Sequence, residues 1–356
     1  LRAGRAQLFN RELVTALEDR VLLSTYTGTS FVLSGTSLTY VNSGTKSATV
    51  KNGDVIAGTS ATSLSITETS PNNLTISSSG LNFGAISLGY TNVTTIVAVG
   101  GSNSLVVNGT GGGDTFNLAS SFLSFAGIAV PYSGFNALQV NGQGGNDSFN
   151  VTANSVGATI NANSGSTIAV GDGSTNPLAG IASALTVNSG SLTVAAGNAN
   201  SAQTGALFAS SITGLGMGGS IQYSSLSNLN INLGSGGNSF TINDTSAPTS
   251  INAGSGANAV TVNQDHSTSN IVTGSAGSVT VVANTAVTSI VSTGAATTVG
   301  SSGSSPLAGI NAAVNVSGGT LTIADGTDSN GEIGTLSDSA GSGSVTGLGM
   351  SANGAV

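Results

Sequence analysis

SINAGSGANAVTV at 250–262, NIVTGSAGSVTVV at 270–282 and SIVSTGAATTVG at 289–300 state one pattern three times. Gly254, Gly274 and Gly294 stand 20 residues apart, and Ile251, Ile271 and Ile290 keep the same beat to within one residue. Each unit holds two short β-branched runs with a Gly/Ser/Ala turn between them, so the spacing predicts one coil of a β-solenoid per unit. Outward from this core, Leu64-Ser-Ile66, Leu74-Thr-Ile76 and Phe240-Thr-Ile242 carry the same strand spacing, and from Tyr26 onward no helical periodicity appears. The predicted fold is all-β: a parallel β-helix or β-solenoid over 25–356, with about 20 residues per coil. Roughly 15 coils at ~4.8 Å each would make a rod on the order of 70 Å long. A string of antiparallel sandwiches also supplies regularly spaced strands. Sandwiches, however, do not need glycine at one phase of successive units; stacked coils do, because each turn sits on the last.

Longer repeats overlie the short one. PLAGIASALTVNSGSLTVAAG at 177–197 returns as PLAGINAAVNVSGGTLTIADG at 306–326, an offset of 129, and ITGLGM at 212–217 returns as VTGLGM at 345–350, an offset of 133. The region 177–217 is therefore related to 306–350, with four residues gained inside the later copy. A third family starts at tyrosine: Tyr90, Tyr132 and Tyr223 are each followed by apolar residues three and six positions on. The last repeat breaks off at Val356, so the expectation is a piece of a longer protein or a terminus completed by another subunit.

Composition narrows the function. With 53 Gly and 38% hydrophobic residues the chain is rich in small residues yet apolar enough for a buried core. Cys is absent, which removes disulfides and thiolate metal sites. All six basic residues lie within the first 51 positions, so His266 is the one side chain beyond Lys51 able to carry positive charge. Eleven acids stand in that same region. Nucleic-acid binding needs cations against phosphate, so DNA and RNA are excluded as expected partners, and acidic polysaccharides are disfavoured. No apolar run reaches the ~18 residues of a membrane span.

Residues 1–24 read differently. Phe9, Leu13, Leu17 and Val21 recur every four residues with Arg and Glu between them, which predicts a short amphipathic helix, either a cap on the first coil or a sorting segment. The string Ala16-Leu-Glu-Asp-Arg-Val-Leu-Leu-Ser24 within it resembles the LEPR-XLL motif near the start of large repetitive surface proteins of planctomycetes and their relatives, with Asp19 where the motif has Pro. The resemblance implies an exported bacterial cell-surface or matrix protein. The body is similar in pattern to β-strand-repeat adhesins and autotransporter-like passengers.

Candidate chemistry is sparse. The turns GTGGGDTFN at 109–117 and GQGGNDSFN at 142–150 resemble the calcium-binding nonapeptide of RTX proteins, which makes Asp114 and Asp147 the calcium candidates. The third copy has Asn238-Ser239 instead, and the competing reading is a tight corner with a surface Asp. The loop from Asp325 to Ile333 has part of an EF-hand pattern but lacks its first and closing ligands, so an acidic turn is expected. Asp265 and His266 are sequence neighbours, which point to opposite faces of a strand, so Asp265 is not expected to orient His266; an exposed, uncommitted histidine is. No residue is assigned to catalysis and no cofactor is expected. The expected function is a non-catalytic extracellular structural, adhesin-like or fibre-forming solenoid, with self-association through its ends and carbohydrate or a cell surface as partners. The alternatives are a β-helix carbohydrate-active enzyme or carbohydrate-binding module, which would need facing carboxylates or a basic groove, and ice binding by flat Thr arrays.

Overall fold

A computed structural model describes residues 23–68, 71–328, 331–339 and 342–356. The helix expected over 1–24 falls outside the described residues, apart from Leu23 and Ser24, which carry no regular structure. The described residues form thirty strands and no helix, with 28 strands in one sheet and two in another. Phe240, Val260, Val279 and Thr297 lie in register on four successive parallel strands, and so do Ile242, Val262, Val281 and Val299. Between them in sequence, Ile231, Ile251, Ile271 and Ile290 build a second parallel ladder. The chain thus alternates between two ladders, a path that fits a β-solenoid and not a series of antiparallel sandwiches.

Alternation supplies the core. In Ala259–Val262 the burial runs exposed, buried, half-buried, buried, with Val260 and Val262 inside. Successive β-strand side chains point to opposite faces, and the β-branched residues pack in files along each ladder. The glycine beat has the cause expected of stacking. A Cβ on Gly274 would lie 2.8 Å from the Gly254 carbonyl oxygen, and the Gly274 amide donates to that same oxygen at 3.0 Å. Gly294 would place a Cβ at an ordinary 3.4 Å; there a φ of +152° selects glycine instead.

The 20-residue period expected for the whole body holds only in part. Coils step by 18–20 residues between 229 and 299 and between 137 and 170. Elsewhere the registers step by 24–37 residues, as from Leu105 to Leu138 and from Leu185 to Ile221. Two insertions cause this. The PLAGI segments form turns, and antiparallel hairpins leave the ladder at Gly80–Phe83, Phe122–Phe125 and Ser211–Gly214. Among the described residues the body therefore counts eleven rungs rather than fifteen, through Thr25–Ser34, Val55–Glu68, Ile86–Gly100 and the ladder that ends at Val314–Ser317.

The tyrosine segments close these hairpins. Tyr132 donates through its hydroxyl to the carbonyls of Ala119 and Ser120 at 3.2 and 3.3 Å. Tyr90 and Tyr223 reach Ser77 and Phe208 in the same way, so each ring pins the turn that opens its hairpin. The residue two positions after each tyrosine has a left-handed backbone: Asn92 at φ 56, Gly134 at φ 75 and Ser225 at φ 54. This bend resets the alternation, so Val93, Phe135 and Leu226, at the third position, turn inward. The four residues gained in the later long repeat lengthen a hairpin by two residues per strand. Phe208 with Ser211 ends the earlier pairing, whereas its counterpart continues past Ser337 with Ser344 to Ser339 with Ser342.

At the first rung, the antiparallel hairpin of Ser37–Val41 and Thr45–Thr49 covers residues 30–34. Its outer strand is exposed and carries Lys46, a charge that discourages edge-to-edge pairing. The hairpin therefore covers this edge over residues 30–34.

Candidate functional site

Parallel pairing of Thr115–Ala119 with Ser148–Val151 places the Asp114 and Asp147 turns directly over one another. The register is held by Phe116 and Phe149, whose rings stack with centroids 4.8 Å apart and 4° between planes. Asp114 Oδ2 accepts the Thr110 amide at 2.6 Å and the Thr110 hydroxyl at 2.9 Å. Asp147 is 2% exposed and accepts the Asp114 amide through Oδ1 at 2.9 Å. One coil on, Ser166 Oγ accepts the Asp147 amide at 3.0 Å. The same device recurs without any acid: Asn238 Oδ1 takes the Gln203 amide at 2.9 Å, and Asn258 Oδ1 takes that of Asn238 at 2.6 Å. Two positions before each inward apolar residue, a side-chain oxygen thus satisfies the amide of its counterpart one coil earlier.

This arrangement explains the glycine-and-Asp turns through backbone capping. Among the described residues no group of three or more His, Asp or Glu side chains gathers in one place. Asp147→Asn is expected to cost under about 1 kcal/mol, since Asn238 performs the same task, while Asp147→Leu orphans the Asp114 amide and costs about 1–3 kcal/mol. Thermal melts with calcium and with a chelator check the point. Coincident midpoints are expected, and a rise with calcium that Asp147→Asn abolishes would return the site to metal binding.

Beside Asp114 lies an open cleft of about 540 Å³, lined also by Thr115, Asn117, Ser124 and residues 125–129 of the hairpin turn. Asn117 donates to Ser124 Oγ at 3.2 Å and accepts from Asn150 at 3.0 Å. The cleft therefore presents one carboxylate among amides and hydroxyls. Of the acidic loop 325–333, residues 329 and 330 lie outside the described set; Asp328 donates its amide to the Asp325 carbonyl at 3.1 Å.

His266 and Asp265 part company, but in the turn between Ala259–Val262 and Ser269–Thr273 rather than on a strand, and His266 is not uncommitted. Its Nδ1 lies 2.6 Å from Asp244 Oδ1, one coil earlier. The pair is solvent-facing, with side chains 61% and 31% exposed, and such pairs contribute at most about 1 kcal/mol. Asp265 turns inside with no exposed surface and accepts the Thr288 hydroxyl at 2.8 Å and the Ala286 amide at 3.3 Å. Burial pushes its carboxyl above the ordinary 3.8, more than these hydrogen bonds pull it down. Because the folded state holds this proton more tightly than the unfolded chain, stability falls as pH rises from about the unfolded value through the folded one. Asp265→Asn should remove that decline, gaining on the parent protein with rising pH in urea melts; parallel pH profiles would contradict the assignment.

Two sets of residues escaped the sequence reading. Asn154 and Asn284, buried at 1% and 0%, dock the PLAGI turns of the following coil: Asn284 Nδ2 donates to the Ala312 carbonyl at 3.1 Å, and Asn154 Nδ2 to that of Ser183 at 3.0 Å. Their signal lies upstream of the long repeat, where VTANSVGATI at 151–160 and VVANTAVTSI at 281–290 share an offset of 130. The second set is a ladder in which Asn141 donates to Asn108 at 2.7 Å, Asn161 to Asn141 at 2.7 Å and Asn188 to Asn161 at 2.8 Å. Its signal is the tripeptide of Val or Ile, Asn, then a small residue, which closes the strands at Asn108, Asn141 and Asn161 and falls within Leu185–Ala195 at Asn188.

Outward-facing residues also form files. Thr193, Asn230, Ser250, Asn270, Ser289 and Asn315 stack in register, as do Thr241, Thr261, Thr280, Thr298 and Thr322. Along the first file run shallow clefts of about 300 and 260 Å³, which include Asn232, Asn252 and Val272. Compared with known proteins, the chain matches no family model, no curated protein and no solved structure. No helix among the described residues is long and apolar enough to cross a membrane.

Proposed function

We propose that this chain is a non-catalytic β-solenoid of an extracellular bacterial surface protein, a stalk or adhesin-like element that offers long neutral faces to carbohydrate or to neighbouring cells. The observation that carries this reading is the file Asn230, Ser250, Asn270, Ser289, Asn315, an uncharged row of amides and hydroxyls repeating at the ~4.8 Å strand spacing. Such a row can hydrogen-bond many sugar hydroxyls weakly and without ionic contributions. The resemblance of residues 16–24 to a surface-protein motif supports the location. A glycosidase reading would call for two carboxylates facing one cleft, and the cleft at Asp114 has a single carboxylate among its lining residues.

Eleven rungs correspond to a rod of roughly 50 Å, which small-angle scattering and electron microscopy measure directly. Binding to neutral surface polysaccharides should survive a rise in salt, because no charge pair contributes for ions to screen. Globular particles, or binding lost on adding salt, would overturn the reading. The file from Thr241 to Thr322 gives the ice-binding alternative a defined surface, and freezing hysteresis with and without Thr280→Lys tests it.

A further inference from the structure

The chain builds one cleft twice. Residues 72–90, NNLTISSSGLNFGAISLGY, align without a gap on DTFNLASSFLSFAGIAVPY at 114–132, an offset of 42 that carries Tyr90 onto Tyr132. In both copies the strand, the hairpin and its turn leave an open cleft at the same place. It measures about 540 Å³ where Asp114, Asn117 and Ser124 line it, and about 200 Å³ where Asn72, Thr75 and Asn82 do. The backbone accounts for the recurrence. Ser124 pairs with Asn117 on one side and Ala129 on the other, as Asn82 pairs with Thr75 and Ser87. The turn that follows is left-handed at Ala126 (φ 47) and at its counterpart Gly84 (φ 54).

The two copies differ in chemistry. The later one has the Asp114 carboxylate in place of Asn72, and it alone of the two carries an apolar outer row. Two residues along the strands from Asn117, Ser124 and Ala129, a distance of ~7 Å, Ala119, Phe122 and Pro131 stand side by side. Phe122 is 39% exposed there. In the earlier copy Gly80 and Gly89 occupy the phases of Phe122 and Pro131. The polar wall also has bonding capacity left. Both side-chain bonds to Asp114 fall on Oδ2, from the Thr110 amide and hydroxyl, which leaves Oδ1 to accept from a ligand. Ser124 Oγ accepts from Asn117, so its own hydrogen remains to be donated.

We propose that Asp114, Asn117, Ser124 and Phe122 form a binding site for a short stretch of neutral glycan, with linked pyranose rings bridging the polar and the apolar row. Sugar hydroxyls donate to Asp114 Oδ1 and accept from Ser124, while the C–H face of the adjoining unit lies on the Phe122 ring. An anionic sugar is disfavoured, because the site holds a carboxylate and no Lys or Arg follows Lys51. With one carboxylate among its lining residues the cleft has no acid–base pair, so the glycan is held and not cut. The inference rests on the proposed carbohydrate-binding role and goes beyond it, since it replaces a diffuse face by one addressed site.

The test titrates the whole chain with three uncharged trisaccharides, cellotriose, mannotriose and maltotriose, followed by calorimetry and saturation-transfer NMR. Saturable binding of at least one is expected, with transfer from aromatic protons to the sugar C–H groups. Phe122→Ala should weaken it about tenfold, equivalent to about 1.4 kcal/mol, whereas Phe122→Tyr keeps the ring and should retain binding. Asp114→Asn should weaken it comparably, because the amide keeps an oxygen for the Thr110 bonds but turns the outer acceptor into a donor. Phe208→Ala is the control. It removes a ring that is 42% exposed on the hairpin where Ala206 takes the place of Asn117, and it should change nothing. Thermal melts of every variant check that the fold is kept. Unchanged binding in Phe122→Ala and Asp114→Asn, or an equal loss in Phe208→Ala, would overturn the site. So would a failure of all three sugars to bind: if neutral polysaccharide still binds, the proposed function stands without this site, and if it does not, both fall.

Discussion

Asn284→Leu is expected to lower the unfolding free energy by about 3 kcal/mol or more. Asn284 is completely buried and works in both directions. Its Nδ2 donates to the carbonyls of Ala286, Ala312 and Ala313 at 3.0, 3.1 and 3.4 Å. Its Oδ1 accepts the amides of Asn311 and Ala312 at 3.2 and 3.3 Å. Leucine fills much the same volume but leaves these backbone groups without partners in a place water does not reach, and each orphan costs about 1–3 kcal/mol, not additively. Asn284→Asp separates packing from hydrogen bonding, because it retains the acceptor and loses the donors. It should fall between the parent and the leucine variant in urea denaturation, with the lost hydrogen-exchange protection centred on 309–314. A leucine variant as stable as the parent would show that the PLAGI turn is held by its own apolar residues, Leu307 and Ile310.

Phe149→Ala should cost about 3–5 kcal/mol through the cavity it opens. Phe149 is 1% exposed, stacks on Phe116 and lies in register with Ile168 on the next coil. It is therefore the middle of a file that the coils cannot close without sliding their backbones out of register. Phe116 in turn stacks on Phe125 of the hairpin at 5.8 Å, so the loss should spread to the wall of the Asp114 cleft. Phe149→Ile, which copies the residue one coil on, should cost markedly less, about 1–2 kcal/mol, because most of the volume remains. Because each rung contacts only its neighbours, hydrogen exchange should show lost protection in the adjoining coils and little change near Ile271 or Ile290. Uniform loss along the chain would mean that the rungs unfold as one cooperative unit.

Much of the architecture was legible at the level of single strands. The pairs Val260 and Val262, Val279 and Val281 announce their inward face by alternation alone, and Gly254 and Gly274 announce the stacked turn that leaves no room for a Cβ. The site was legible only in outline. The Asp114 and Asp147 turns were found as a pair, but their resemblance to calcium loops says nothing of the Ser166 and Asn258 hydroxyl and amide that perform the same capping one and more coils beyond Asp147. The third-position apolar residue after each tyrosine was visible, yet its reason, a left-handed bend at Asn92, Gly134 or Ser225, belongs to the backbone.

Composition and spacing by themselves determined that the chain is built of short strands, that the strands recur at a coil-like period over 250–300, and that every Lys and Arg falls within the first 51 positions. Those properties are local: they depend on which residues alternate and on what a turn can tolerate. The tertiary structure alone decided that coils vary from 18 to 37 residues, that Asp244 rather than Asp265 meets His266, and that Asn284 holds the turn of the next coil. Each of these is a meeting between residues about 20 or more positions apart. Which residues meet is set by the length of the intervening excursion, and a hairpin or a PLAGI turn shifts the partner without disturbing the alternation on either side.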